Sequence, residues 1–125
     1  MNNSLQKIMH IDDEDDIREI TNIILSSTGE FEVRSFDRGQ TGIEAISEFR
    51  PDLIICDVMM PEKTGPETLQ ELRKNGVQTP LFFMTAKVQD YQVEELMAFG
   101  AQGVIKKPYD PMALPDQVKN MWQNL

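Results

Sequence analysis

The chain contains a single cysteine, Cys56, so no disulfide can form within it and a disulfide-stapled secreted framework is excluded. Cys56 sits in the middle of an apolar run, where a small buried hydrophobe is expected rather than a reactive thiol. There is no excess of basic residues. The net charge of −9 argues against a general binder of the nucleic-acid backbone, which needs a basic stripe. No apolar run approaches the about 20 residues that span a bilayer, and Met1–Lys7 is polar, without the apolar core of a signal peptide. Internal repeats, low-complexity tracts and linkers are also missing. The expectation is one domain over residues 1–125 in a reducing cytoplasm, with neither a membrane nor nucleic acid as a direct partner.

The most informative stretch is Leu53-Ile54-Ile55-Cys56-Asp57-Val58-Met59-Met60-Pro61. A short continuous apolar run closed by a turn signal reads as a strand covered on both faces, as in a parallel sheet. An unpaired carboxylate inside such a strand costs several kcal/mol or gives up its charge, so Asp57 belongs at the strand's carboxyl end. Four more segments read as strands: Ile8–Ile11, Phe31–Phe36 with the alternation of an edge strand, Pro80–Thr85 and Gly103–Lys107. Between and after them lie amphipathic helices. The first buries Ile17, Ile20, Ile24 and Leu25 and stops at Gly29. The next two span Gly39–Arg50 and Pro66–Asn75. Val88–Phe99 uses Val93, Leu96, Met97 and Phe99. The last helix uses Leu114, Val118, Met121 and Leu125, with Trp122 beside them, and must begin near Pro115 or bend there.

Five strand–helix alternations imply an α/β fold with a doubly wound parallel sheet and right-handed crossovers. The commonest five-stranded solution is the flavodoxin-like order 2-1-3-4-5, which sets strands one and three side by side where ligands bind. Asp12 and Asp13, ending the first strand, then lie beside Asp57, with Thr85 and Lys107 ending the fourth and fifth. Crowded carboxylates repel and need a cation, and an oxygen-only donor set selects Mg²⁺ or Mn²⁺. A carboxylate nucleophile, a metal, a hydroxyl and an ammonium suit phosphoryl transfer through an aspartyl phosphate. Taken singly, each signal has a plainer explanation. Asp15 and Asp16 read as an acidic helix start, Lys106 as surface charge, His10 as a packed or hydrogen-bonded core residue and Tyr109 as packing.

Asp12-Asp13-Glu14, Asp57-Val58-Met59-Met60-Pro61, Thr85-Ala86 and Lys107-Pro108, each closing a strand, resemble the receiver domain of two-component response regulators over nearly the whole chain. That family shares the 2-1-3-4-5 order, so topology and resemblance are not independent. The resemblance implies that Asp57 accepts a phosphoryl group from a phosphohistidine on a sensor histidine kinase or histidine phosphotransfer protein. Asp13, Asp57 and the Met59 backbone carbonyl are then direct metal ligands, with Asp12 acting through water. Lys107 pairs with the phosphoryl group, Thr85 swings toward it, and the Ala86 backbone N–H donates to it. The Lys107–Pro108 peptide is expected to be cis, and the side chains of Met59 and Lys87 to tune hydrolysis. Partner surfaces, for an unknown protein target, are implied around Val88–Phe99 and Pro111–Leu125. The sequence departs from the family at Val104, where such domains usually carry Tyr or Phe. A stiff β-branched residue cannot replace a flipping ring, so the output is expected to run through the Thr85–Val88 loop. The implied protein is a switch that catalyses only its own phosphorylation and dephosphorylation. A haloacid-dehalogenase-type phosphohydrolase needs an acid where Met59 stands, and a flavin carrier needs a phosphate loop after the first strand; neither is present. A degenerate interaction module is expected to have lost the acidic pair, Asp57 or Lys107, and all are kept.

Overall fold

The computed structural model describes residues 4–28, 30–86, 89–107 and 109–125. The expected stop at Gly29, the helix start at Val88, the tuning role of Lys87 and the geometry of the Lys107–Pro108 peptide lie outside the described residues, as does part of the Thr85–Val88 loop. The elements run β1 (Lys7–Ile11), α1 (Asp15–Ile23), β2 (Glu32–Phe36), α2 (Gly39–Phe49), β3 (Leu53–Asp57), α3 (Gly65–Lys74), β4 (Leu81–Thr85), α4 (Asp90–Ala98), β5 (Gly103–Lys106) and α5 (Leu114–Gln123). The strands form one parallel sheet in the order β2-β1-β3-β4-β5, so the flavodoxin-like expectation holds and β2 is an edge. Among the described residues no helix is long and apolar enough to cross a membrane.

Side-chain alternation divides the apolar residues of the sheet between two layers. Met9, Ile11, Ile54, Cys56, Leu81 and Phe83 pack with Phe49 of α2, Leu69 and Leu72 of α3 and Leu96 of α4. Ile8, Leu53, Ile55, Phe82, Met84 and Ile105 pack with Leu25 beyond α1 and with Leu114 and Val118 of α5. Every residue of β3 and β4 is buried, which is why both read as unbroken apolar runs. By the same alternation His10, Asp12, Asp57 and Lys107 fall on the side of α1 and α5, and Lys106 on the other.

The helix termini follow the sequence signals, and the helix faces follow them only in part. Thr64 caps α3 in a reciprocal capping box with Glu67, ahead of Pro66 in the first turn. Pro115 lies in the first turn of α5, so no internal bend is needed. On α1 the inward residues are Ile17 and Thr21, and Leu25, four residues further on, continues the row in the turn beyond the helix. Ile20, expected in that row, is 41% exposed, and Ile24 opens a π-helical turn over Ile24–Thr28 that ends the helix. On α4 only Leu96 is buried; Met97 and Phe99, expected inside, face outward, as does Leu125 at the end of the chain. A helix lying on a sheet covers it with a narrow stripe, so apolar residues one position off the stripe remain at the surface.

Candidate functional site

The carboxyl ends of β1 and β3 are neighbours in the sheet, with Ile11 paired to Cys56, so the residues that follow them share one edge. Carboxylate oxygens of Asp12, Asp13 and Asp57 all lie within 4.8 Å of one another. Asp12 is fully buried and Asp57 nearly so, while Asp13 is half-buried at the mouth. Lys107 enters from the end of β5, placed by its backbone N–H, which donates to the Thr85 carbonyl at 2.8 Å. Its ammonium stands 3.0 Å from Asp12 Oδ2, 3.3 Å from Asp57 Oδ1 and 3.4 Å from Glu14 Oε1. The sequence-predicted Asp12, Asp13, Asp57 and Lys107 therefore meet. Thr85 is buried at the end of β4, Ala86 is exposed just after it, and the Met59 side chain is 62% exposed.

The β1–α1 turn is built around Asp12. Its N–H donates to the Phe36 carbonyl at 3.0 Å, its Oδ1 accepts the Glu14 N–H at 2.9 Å, and its carbonyl accepts from the Arg18 guanidinium at 2.9 Å. On β3, Asp57 Oδ1 accepts the Val58 N–H at 2.9 Å. Gly65 N–H donates to the Val58 carbonyl at 2.9 Å, folding the loop back under the strand end. A side chain at Gly65 has no room, because a Cβ there would stand 2.4 Å from the Asp57 carbonyl oxygen. Arg18, Glu14 as a partner of Lys107, and Gly65 are not among the residues the sequence points to. Glycine next to a proline at a helix start was the available signal for the last.

Burial, then the neighbouring Asp12 charge, pushes the Asp57 carboxyl up to about 6, against the pull of Lys107 and the Val58 N–H. Burial works to lower the Lys107 pKa, but Asp12, Asp57 and Glu14 together outweigh it and raise the value. The ammonium thus serves as the resting counter-ion of the acidic cluster. An all-oxygen donor set of this size and charge fits a hard divalent cation such as Mg²⁺ or Mn²⁺. His10, expected to be packed or hydrogen-bonded, is packed; among the described residues neither ring nitrogen has a hydrogen-bond partner. Tyr109 packs as expected and also meets the fully buried Thr21 hydroxyl through its own. An apolar cleft of about 310 Å³ opens beside Lys107, between Ile17 and Ile20 on one side and Tyr109 and Pro111 on the other. Val104 is half-buried against the α2–α4 layer.

Comparison with known proteins agrees with this geometry. The family model described as "Response regulator receiver domain" matches residues 8–119. The chain is 30% identical over 107 residues to regulatory protein AtoC of Escherichia coli, covering 86% of this chain and 23% of AtoC. It is 33% identical over 104 residues to transcriptional regulatory protein DltR of Streptococcus agalactiae, covering 83% of this chain and 46% of DltR. It therefore spans between about a quarter and a half of the length of these curated relatives. Among solved structures, chemotaxis response regulator CheY4 of Vibrio cholerae superposes with a TM-score of 0.86 at 28% identity, over 94% of this chain and 99% of that one. A Francisella response regulator receiver domain superposes at 0.85 with 23% identity, over 95% of this chain and 98% of that one, which speaks for the fold alone. With a family match across all but the ends of the chain, and with acidic, hydroxyl and lysine residues at the strand ends, the chain belongs to the receiver domain family of response regulators.

Proposed function

We propose that this receiver is a phosphorylation switch in two-component signalling, with Asp57 as phosphoacceptor and a phosphohistidine on a sensor kinase or phosphotransfer protein as donor. The observation that carries the reading is the meeting of three carboxylates and one ammonium at the sheet edge. Asp57 Oδ1 is engaged by Val58 and Lys107, so Oδ2 is the attacking oxygen. The bond from Oδ2 to phosphorus forms as the donor N–P bond breaks, and the leaving imidazole keeps the electron pair. The apolar cleft beside Lys107 is large enough for the donor ring. Lys107 then turns from the carboxylates to the phosphoryl oxygens, and the Thr85 hydroxyl and Ala86 N–H supply further donors from the end of β4. Asp13, Asp57 and the Met59 carbonyl would hold Mg²⁺ directly and Asp12 through water. The bound ion would neutralise the charge that gathers on the transferring group.

The protein acts on itself and turns over no metabolite. Its phosphorylated form binds a protein target, in the cytoplasm, without contacting nucleic acid or membrane itself. The test is incubation with Mg²⁺ and a small acyl-phosphate donor, followed by intact mass. The expected gain is one phosphate, absent with chelator, absent in Asp57→Asn and strongly reduced in Lys107→Met. No gain in the unaltered protein overturns the proposal, and continuous release of phosphate from many monoesters points instead to a phosphohydrolase.

A further inference from the structure

His10 on β1 and Asp12 just beyond its end fall on the same side of the sheet, both with no solvent exposure. Among the described residues, both nitrogens of His10 and the Oδ2 of Asp12 lack a hydrogen-bond partner. Lys107 lies 3.0 Å from that oxygen as its ion-pair partner, so the His10 nitrogens are the groups left without a polar partner. His10 Nε2 lies 4.0 Å from Asp12 Oδ2, too far for a hydrogen bond. Orphaned buried polar groups are rare, because each forgoes its bonds to water without replacement. A packing role alone is better served by an apolar side chain: Ile55, the register partner of His10 on β3, is fully buried and apolar.

We infer that His10 is a positioning residue for the cation site, its Nε2–H serving as the donor that fixes the inner oxygen of Asp12. The inference rests on the metal-dependent reading above and adds to it a residue that the reading does not use. A carboxylate that serves a metal is commonly held by a hydrogen bond from behind, and that partner sets both its orientation and its basicity. Asp12 Oδ1 already has such a donor in the Glu14 N–H, while Oδ2 has only the Lys107 ammonium, which the proposed switch sends to the phosphoryl group. The His10 imidazole, fully buried and 4.0 Å from Oδ2, is the further donor assigned here. An approach of about 1 Å brings Nε2 within hydrogen-bond reach of Oδ2.

The test uses Mg²⁺ alone as the probe, by calorimetric titration, with thermal melting in chelator alongside. His10→Leu removes the donor and leaves an apolar side chain of similar size. It is expected to melt no lower than the unaltered protein in chelator, and about 3–6 °C higher where one orphaned group's cost is relieved. Its Mg²⁺ affinity is expected to fall about five- to tenfold. His10→Gln places an amide N–H near the position of Nε2 and is expected to recover affinity to within about twofold. Equal affinity in the Leu variant, or no recovery in the Gln variant, overturns the inference. Should the Leu variant fail to fold, the unaltered protein decides. His10 is the chain's only histidine, so a long-range ¹⁵N–¹H spectrum reports one ring. A proton on Nε2 whose resonance moves with Mg²⁺ supports the role, and a proton on Nδ1, or a resonance that Mg²⁺ leaves in place, overturns it. If the unaltered protein binds no Mg²⁺, the metal-dependent reading itself fails; if it binds and the variants match it, only the role of His10 falls.

Discussion

Replacing Asp57 by Asn tests the electrostatic account of the site without any donor or partner. In the folded chain burial and the Asp12 charge hold the Asp57 carboxyl at about 6, against an ordinary 3.8. That difference is worth ~3 kcal/mol, and water reaching the pocket mouth past half-exposed Asp13 reduces it, so about 1.5–3 kcal/mol is expected. The sign follows from proton binding. Below pH ~4 the carboxyl is protonated whether the chain is folded or not, and its titration costs the native state nothing. Between pH ~4 and ~6 the unfolded chain ionises while the folded chain keeps its proton, so stability is lost as pH rises; above ~6 the loss is complete. Asn preserves the shape and never ionises, so Asp57→Asn escapes the penalty. Urea unfolding followed by circular dichroism, in chelator, is expected to show a variant more stable by about 1.5–3 kcal/mol at neutral pH, or ~1 M in midpoint. The advantage is expected to shrink steadily toward pH ~4. Mg²⁺ is expected to stabilise the unaltered protein and to do much less for the variant. An Asn variant no more stable at neutral pH, or an advantage that is the same in acid, refutes the claim that a raised carboxyl at Asp57 is held at the expense of the fold.

Lys107→Met removes the ammonium between Asp12, Asp57 and Glu14, and in chelator it is expected to lower stability by about 1–3 kcal/mol, with Mg²⁺ restoring most of the loss; melting temperature with and without the ion checks this. Gly65→Ala drives a Cβ toward the Asp57 carbonyl oxygen and Phe83, so a destabilisation of about 1–3 kcal/mol in urea is expected, together with slower acyl-phosphate labelling because the displaced backbone carries the acceptor. The Cys56 thiol is buried and its pKa is pushed above the ordinary thiol range, first by burial and then by Asp57 and Asp12. It is expected to resist alkylation in the native state and to react fully in urea, as mass spectrometry of the treated protein will show. Rapid native labelling contradicts the burial.

What could be read from the sequence, and what could not, divides along a physical line. A parallel sheet buries its strands on both faces, so each strand is an unbroken apolar run, and a charge is affordable only where the run stops. Asp12, Asp57 and Lys107 stood out because each ends such a run, and strand order then brought them together. Helix faces were harder. Periodicity marks the apolar residues of α1 and α4 without saying how wide a stripe the sheet will cover, so Ile20, Met97 and Phe99 are expected inside and lie outside. Thr21 takes an inner place on α1 because the Tyr109 hydroxyl, 88 residues away, satisfies its own, a pairing that no local pattern announces.

The same reasoning explains why the surroundings of Asp12 stayed hidden while Asp12 itself did not. A carboxylate after an apolar run breaks the pattern, but a neutral imidazole inside the run does not, and His10 reads as one more core residue until its nitrogens are found without partners. Arg18 likewise reads as ordinary helix-surface charge until its guanidinium is seen on the Asp12 carbonyl. Groups that must be charged to act sit where an apolar run stops, and that point is written in the alternation of apolar and polar segments. Groups that act by holding those charges in place need only an angle and a distance, and these exist only once the chain has folded.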